Sequence, residues 1–196
     1  AQPGSDVVLT IDVGMQQQVE DILKQGVEAA KSTSGSAVII DPNSGAIKAV
    51  ANVPTFDPTQ FARVTDISSF GNAAFSSPLE PGSVMKPFTA GSALEQGVIT
   101  ENTSYYDPGF YKVDGETVTN IEEDGGAGTR NVQDILQLSL NTGAVWLLRQ
   151  MGGGDLNLKA RQNWHDYMFN HFRFGQLTGV ESYEVPGLVP DPAKGD

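Results

Sequence analysis

The pattern that most constrains the fold of this chain is a pair of β-rich runs, residues 36–41 and 46–52, joined by Pro-Asn-Ser-Gly at 42–45. Asparagine and glycine tolerate the positive φ angles of a tight reversal, so the pattern predicts a β-hairpin over residues 36–52. A helix-period pattern precedes the hairpin, with Asp12 in the N-cap position. Its apolar stripe is expected to pack in the core and consists of Met15, Val19, Ile22, Leu23 and Val27.

The remaining chain mixes strand and helix patterns. Residues 7–11 form a short apolar run typical of a strand, whereas residues 53–82 lack periodicity and predict a loop with short helical turns. A helix is predicted over residues 83–96, ended by Gly97 in the left-handed conformation. Residues 105–120 alternate weakly and predict an exposed hairpin or excursion. A helical region spans about 131–173, with helices predicted over 132–138, 142–151 and 156–172. The mixture indicates a single domain of the α+β class over residues 1–196.

Charge and composition exclude several classes of function. Twelve lysines and arginines against 24 acidic residues give a formal net charge of −12, which repels phosphate backbones, so no nucleic-acid partner is expected. Without cysteine the chain has no disulfide and no thiolate ligand. His165 and His171 are six positions apart on a predicted helix and point in different directions, so no metal site is expected. The glycine clusters lack the Gly-Lys-Ser/Thr of a phosphate loop, and no cofactor is expected.

The chain carries no apolar run of the roughly 18 to 20 residues that cross a bilayer, and its start does not resemble a signal peptide. Because residue 1 is alanine, we interpret the chain as a piece of a longer protein. Any membrane anchor is therefore expected upstream of it.

The segment EPGSVMKP at residues 80–87 places Ser83 and Lys86 on one face of a helix start, because they are three positions apart. Unpaired amides at a helix N-terminus can bind a developing oxyanion, and their partial positive charge favours the neutral form of a nearby lysine. A neutral Lys86 is able to act as the base that activates Ser83. The alternative is a capped helix that begins with serine and carries a solvated lysine.

A second polar element, Ser139-Leu140-Asn141, follows an apolar run over residues 132–138. It places a hydroxyl and a carboxamide together at a junction between two predicted helices. In the alternative interpretation, Ser139 and Asn141 are helix-cap residues without a role in chemistry.

Together these elements resemble the transpeptidase domain of the penicillin-binding proteins, whose marks are Ser-x-x-Lys, Ser-x-Asn and Lys-Ser/Thr-Gly. The similarity extends to residues 9–12, to DPNSGAIKAVA at 41–51, and to Pro54 with the following Phe-Asp-Pro. Residues 172–179, FRFGQLTG, resemble the stretch after the second motif in the class B, high-molecular-weight members. The resemblance implies the serine β-lactamase/transpeptidase-like fold, here an incomplete antiparallel sheet with a helical subdomain.

Carried over by motif, the resemblance implies that Ser83 is the nucleophile that a peptidoglycan stem peptide or a β-lactam antibiotic acylates. Lys86 would be its base, Ser139 would relay a proton, and Asn141 would bind the backbone of the substrate. The implied activity is D,D-transpeptidation at the extracytoplasmic face of the bacterial membrane, in contact with other cell-wall synthesis proteins.

The sequence departs from the family pattern at the third motif. Lys31 is followed by Ser-Thr without glycine, and Lys194 by Gly-Asp without a hydroxyl residue. Since loss of one oxyanion donor lowers a rate roughly 10² to 10³-fold, the chain as printed is expected to acylate very poorly and its parent protein to be active. A hairpin without further sheet partners also leaves an unpaired edge, which predicts homodimerisation through that edge.

Two other functions stay open. A serine β-lactamase shares the fold and the first motif, but no carboxylate motif for deacylation is evident in the sequence. A non-catalytic penicillin-sensing or cell-wall scaffold module would retain the fold, and the serine, without turnover.

Overall fold

The computed structural model describes residues 4–121, 126–180 and 183–194. The chain divides into two compact units, one made of Ala1–Pro78 and Leu177–Val185, the other of Leu79–Gln176 and Pro186–Asp196. Each unit mixes helices with antiparallel strands, as the α+β prediction requires. The single-domain interpretation of the whole chain stays a prediction.

The first unit is built on helix α1, Val13–Ala29, and on the hairpin of β1, Gly35–Ile40, and β2, Ile47–Val53. The strands pair antiparallel, and their register shifts between Ile39 and Ile40. Gly45 in the connecting turn has a φ of 72°, which only glycine adopts without strain. The predicted hairpin is therefore confirmed.

The start of the first unit corrects one prediction. Residues 7–11 do not form a strand, and the side chains of Val7 and Val8 are almost fully exposed. Instead, the Thr10 hydroxyl donates to the Ile47 carbonyl at 2.6 Å and the Asp12 amide donates to the Lys48 carbonyl at 2.9 Å. The segment before α1 is thus joined to β2 by isolated hydrogen bonds rather than by a strand ladder. It turns directly into α1 because Asp12 caps that helix.

Helix α1 confirms its predicted N-cap but not its predicted burial. The Asp12 carboxylate accepts from the Met15 amide at 2.9 Å. No described residue of α1 is buried, and Ile22 of the apolar stripe is 68% exposed. A sheet of two strands is too narrow to cover the whole stripe. The core assignment of Met15, Val19, Ile22, Leu23 and Val27 was therefore wrong.

Residues 53–82 contain the short helical turns that the sequence predicted. They are the 3₁₀ helices Pro58–Arg63 and Ile67–Phe70 and the single turn α2, Ala73–Ser76. Asp57 and Asp66 cap the two 3₁₀ helices through hydrogen bonds to backbone amides. Local capping thus gives this long segment its structure.

The second unit begins with a 3₁₀ turn, Gly82–Met85, that leads into α3, Lys86–Glu95. Gly97 follows with a φ of 67°, and the amides of Gly97 and Val98 return to the carbonyls of Leu94 and Ala93. This pair of bonds is a Schellman motif and confirms the predicted helix end.

The helical region comprises α4, Val132–Gln137, α5, Asn141–Met151, and α6, Leu158–Asp166, followed by a π-helical turn, Tyr167–His171. The predicted helices over residues 132–138 and 142–151 are confirmed. The third, predicted over residues 156–172, is helical from Leu158 to His171, with a change from α to π geometry after Asp166. These helices share a core with α3 and the first strand of the unit: Ala90, Ala93, Ile99, Tyr105, Val132, Ile135, Leu147 and Met151.

The strands of the second unit differ from the single exposed hairpin predicted over residues 105–120. Strand β3, Ser104–Asp107, pairs with the distant β6, Gly128–Asn131, and Tyr105 is buried. Only β4, Phe110–Val113, and β5, Glu116–Thr119, form the local hairpin. Among the described residues no helix is long and apolar enough to cross a membrane.

Candidate active site

The first candidate motif lies where the chain enters helix α3. Gly82 has a φ of 63°, which turns the backbone into the 3₁₀ helix that carries Ser83. Ser83 is exposed, whereas Lys86, the first residue of α3, is only 8% exposed. The Lys86 Nζ donates to Ser83 Oγ at 3.1 Å. The spacing of three residues therefore joins an accessible hydroxyl to a buried amine, and the alternative of a solvated lysine was wrong.

The second motif lies in the tight turn between α4 and α5. The amide of Ser139 returns to the Leu136 carbonyl, and that of Leu140 returns to the Ile135 carbonyl at 3.0 Å. Ser139 thus occupies the position after a helix end where glycine is usual, with a φ of 53°. A left-handed conformation costs an L-residue about 1 kcal/mol. Leu140, fully buried, anchors the turn and leaves the serine exposed beside it.

Lys86 joins the two motifs. Its Nζ lies 3.0 Å from Ser139 Oγ and 2.8 Å from Asn141 Oδ1, and it also contacts the Ser139 backbone carbonyl. With Ser83 Oγ these are four oxygens around one nitrogen. The Lys86 amine therefore lies between the hydroxyls of Ser83 and Ser139.

Asn141 is the first residue of α5 and has a fixed orientation. Its Nδ2 donates to the Thr119 carbonyl at 2.9 Å at the end of strand β5. Because a carbonyl only accepts, the amide nitrogen must face Thr119 and the Oδ1 must face Lys86. The structure thus brings together all four site residues predicted from the sequence: Ser83, Lys86, Ser139 and Asn141.

Sequence reasoning missed a buried polar cluster directly behind Asn141. The Thr142 hydroxyl donates to Asp107 Oδ2 at 2.5 Å, and the Asn120 side chain bonds both residues. Asp107 and Thr142 have no exposed surface. Thr142 adjoins a recognised motif, which is a signal. Asp107 lies in β3, whose pairing with β6 no local pattern reveals, and Asn120 follows β5 without any motif of its own.

Tyr105 lies behind the first turns of α5 and is a packing residue. Its ring stacks on Trp146 with centroids 4.2 Å apart. Burial, with a smaller contribution from Asp107, raises the pKa of the Tyr105 phenol far above its usual range. The phenol therefore stays neutral and does not serve as a base.

No group of three or more His, Cys, Asp or Glu side chains suited to a metal occurs within residues 4–121, 126–180 and 183–194. In that part of the chain, the chemistry at hand is that of an amine, two hydroxyls and a carboxamide. Such a set suits nucleophilic acyl transfer through a serine.

Comparison with known proteins agrees with this geometry. A family model described as the penicillin binding protein transpeptidase domain matches residues 35–194. The chain is 35% identical to the penicillin-binding protein PbpB of Mycobacterium tuberculosis over 95% of its own length and 26% of that relative. It is 32% identical to the peptidoglycan D,D-transpeptidase MrdA of Escherichia coli over 96% of its length and 29% of that relative. The chain therefore spans between a quarter and a third of these relatives.

Solved structures show the same likeness. The penicillin binding protein 3 of Mycobacterium tuberculosis in complex with aztreonam matches with a TM-score of 0.80 and 32% identity, over 96% of this chain and 40% of that one. A structure from Atopobium parvulum, described as a putative peptidoglycan glycosyltransferase, matches with a TM-score of 0.82 and 25% identity, over 97% and 42%.

Proposed function

The chain belongs to the penicillin-binding protein transpeptidase domain family, and from that premise we propose that Ser83 is the nucleophile of a serine D,D-transpeptidase. The proposed substrate is a peptidoglycan stem peptide, in line with the relative named a peptidoglycan D,D-transpeptidase. β-Lactams are the proposed inhibitors, since a relative was solved with aztreonam and with ampicillin.

One observation carries the proposal: the Lys86 amine lies within hydrogen-bond distance of both Ser83 Oγ and Ser139 Oγ. A nucleophilic serine needs a base at this distance, and the departing amine needs an acid. A single amine between two hydroxyls offers a path for the proton from one to the other.

The proposed reaction balances along that path. Ser83 Oγ bonds to the carbonyl carbon of the penultimate residue while its proton moves to neutral Lys86. The C–N bond then breaks, and the leaving amine takes a proton through Ser139. An ester on Ser83 remains. The amine of a second stem peptide then forms a C–N bond to the ester carbonyl carbon, the ester C–O bond breaks, and the proton that this amine loses returns to Ser83 Oγ through Lys86. With a β-lactam the leaving nitrogen stays tethered, so the protein gains the mass of the whole drug.

Two features support Lys86 as the base. Lys86 and Asn141 are the first residues of α3 and α5, so two helix starts with their partial positive charge lie beside the amine. The serine hydroxyls and the carboxamide oxygen provide hydrogen-bond partners for the neutral amine as well.

We assign substrate binding to Asn141. Its amide nitrogen carries two hydrogens, and Thr119 takes one of them. The second is available to a carbonyl of an extended stem peptide, provided the peptide runs past the start of α5. Asn141→Ala is expected to weaken noncovalent binding of the β-lactam and to slow acylation, which stopped-flow competition with a fluorescent penicillin would measure.

The experiment that tests the nucleophile is intact-mass analysis after incubation with ampicillin, on this chain and on a version extended to include a Lys-Ser/Thr-Gly motif. We expect an adduct of the drug mass on Ser83, faster in the extended version, and none on Ser83→Ala. Ser77→Ala, an exposed serine elsewhere, is the matched control and should label like the parent.

Each other outcome points to a different function. An adduct that hydrolyses rapidly and releases opened drug would indicate a β-lactamase. Absence of an adduct from the chain and from the extended version would falsify the nucleophile assignment and favour a non-catalytic sensing or scaffold module. Rapid labelling of the 196-residue chain would contradict the predicted dependence on the third motif.

A peptidoglycan substrate would place the protein at the outer face of the bacterial membrane, where we also propose contacts with other cell-wall synthesis proteins and an anchor upstream of residue 1. Fractionation of cells with an antibody against this chain tests the location: recovery with cytoplasmic proteins would contradict it.

Homodimerisation is proposed through the free edge of β1. Among the described residues β1 pairs only with β2, and Val38, Ile39 and Ile40 are partly exposed. Light scattering after size exclusion should give a dimer mass for the chain and a monomer mass for Ile39→Lys. A lysine on an edge strand opposes the pairing of that strand with a second copy. A monomer in both cases rules the edge out.

A further inference from the structure

Hydrogen bonds at the cluster behind Asn141 join the end of strand β5 to the start of helix α5. The last residue of β5 and the next residue, Thr119 and Asn120, meet the first two residues of α5, Asn141 and Thr142. The Thr119 carbonyl accepts from Asn141 Nδ2 at 2.9 Å, while Asn120 Oδ1 accepts from the Thr142 amide at 3.0 Å. Two successive residues on each side are thus held, which fixes rotation as well as distance.

Asn120 supplies a cap that α5 lacks. The N-cap residue of α5 is the buried Leu140, which has no side-chain oxygen to accept from the first amides. Helix starts leave such amides without intrahelical partners, and one left unpaired in a buried place destabilises the fold. The Asn120 side chain, 22 residues away in sequence, satisfies the Thr142 amide in its place.

A backbone amide sets the direction of the hydrogen bonds around Thr142. An amide N–H only donates, so Asn120 Oδ1 accepts from the Thr142 amide at 3.0 Å, and Asn120 Nδ2 donates to Thr142 Oγ1 at 2.7 Å. The Thr142 hydroxyl then donates to Asp107 Oδ2 at 2.5 Å. Asp107 also accepts from the Gly109 amide at 2.8 Å, which holds its own side chain in place.

We propose that Asp107, Asn120 and Thr142 form a positioning unit that holds the Asn141 carboxamide with its oxygen on Lys86. None of the three touches the reacting atoms. They act by fixing the start of α5 against β5, so that Asn141 Oδ1 lies 2.8 Å from Lys86 Nζ and the amine stays between the two serines. The expected effect on the acylation rate rests on the proposed function. The expected effect on the position of Asn141 beside Lys86 does not depend on any reaction.

The decisive comparison is Thr142→Val against Thr142→Ser in the version of the protein that ampicillin acylates. Valine keeps the shape of the threonine side chain but removes its hydroxyl, whereas serine keeps the hydroxyl. Because a displacement of about 1 Å at a catalytic group can lower a rate about 10²-fold, we expect that loss in the acylation rate constant of Thr142→Val. The dissociation constant of the noncovalent complex should rise less than in Asn141→Ala, which loses the carboxamide itself, and Thr142→Ser should acylate close to the parent rate.

A control separates positioning from loss of stability. Asp134→Asn weakens the capping box of α4, where Asp134 accepts from the Asn131 amide at 2.8 Å and the Asn131 side chain accepts from the Asp134 amide. It should lower the melting temperature and leave the acylation rate of the folded protein unchanged. If Thr142→Val lowers the melting temperature but acylates at the parent rate, the positioning role is overturned.

Two further measurements keep the outcome decisive. Should Thr142→Val fail to fold, Asn120→Ala, at a half-buried position, is expected to show the same selective loss of the acylation rate. The Lys86 ¹³Cε resonance reports the surroundings of the amine without any reaction. It should shift in Thr142→Val and stay in place in Thr142→Ser, and no shift in either overturns the inference. A protein that never acylates but shows this shift contradicts the proposed function alone.

Discussion

The helices that carry the candidate site start differently from those that only support it. In α4 and α6 the N-cap residues are Asn131 and Asn157, whose side chains accept from backbone amides of the first turn. In α3 and α5 the N-cap residues are Met85 and Leu140, which make no such bond. The supporting helices therefore have a side-chain cap from their own N-cap residue. The site helices lack one and begin with Lys86 and Asn141, which bind each other. Local stability and chemistry are assigned to different helix starts.

Loss of the amine at the start of α3 is expected to have the greatest effect on the site helices. Lys86→Met keeps an unbranched side chain in α3 but removes the amine, and general base catalysis contributes roughly 10² to 10⁴ in rate. We expect ampicillin acylation of Ser83 to fall by that factor, measured by intact mass over time. Lys159→Met, on the exposed face of α6, is the matched control. Equal acylation by both variants would contradict the role of Lys86 as base.

The close packing of α5 on α4 at Gly143 is expected to have the next largest effect. A Cβ added at Gly143 would lie 2.7 Å from Ile135 Cγ1 and 2.9 Å from the Tyr105 hydroxyl oxygen. Overpacking of this kind costs about 1 to 3 kcal/mol. Gly91→Ala in α3 meets no atom within 4 Å and should stabilise by about 0.5 to 1 kcal/mol. Urea unfolding of both variants checks the signs, and a stabilised Gly143→Ala would show that the helices do not approach so closely.

A third effect concerns the supporting helices alone. Asn157→Ala removes the acceptor of the Ala160 amide at the start of α6, which should cost about 1 kcal/mol of unfolding free energy. Acylation of the folded protein should not change, because α6 carries no site residue. Chemical denaturation and acylation kinetics on the same sample provide the test. A loss of acylation rate without a loss of stability would contradict the assignment of α6 to a purely supporting role.

The smallest effect concerns a capped turn of the first unit. Hydrogen bonds from the Thr59 hydroxyl and amide lower the pKa of the exposed Asp57 below its ordinary value of 3.8. A lowered folded pKa contributes stability above pH 3.8 that is lost as the pH falls through the folded value. Asp57→Asn should thus melt slightly lower than the parent at pH 6, and the difference should shrink as the pH falls below 3.8. A difference that does not shrink would assign the effect to shape rather than charge.

The comparison also explains which parts of the structure the sequence predicted. Signals that lie within one turn or hairpin were sufficient for the caps at Asp12 and Gly97 and for the residues 36–52 hairpin. They were also sufficient for one pair of site residues, Ser83 and Lys86, which share a helix turn. That Lys86 reaches Ser139 and Asn141 required the family resemblance, because no local pattern joins residues more than 50 positions apart.

The failures have a common physical cause, which is that burial depends on partners far away in the chain. The stripe of α1 has the right period for a core helix, but the two strands beside it cover only part of it. The alternation over residues 105–120 is real, yet β3 uses it to pair with β6. Asp107 gave no signal at all, because a lone aspartate in a strand acquires meaning only from Asn120 and Thr142.

The left-handed backbone of Ser139 has a consequence for the evolution and engineering of the chain. At that position glycine, and to a lesser degree asparagine, would relax the backbone, so selection for thermostability alone should favour replacing the serine. Such a replacement would also delete the hydroxyl beside Lys86. Backbone stability and the proposed proton relay therefore favour different residues at position 139. A library randomised at position 139 and sorted first by melting temperature, then by penicillin labelling, should yield two populations that do not overlap.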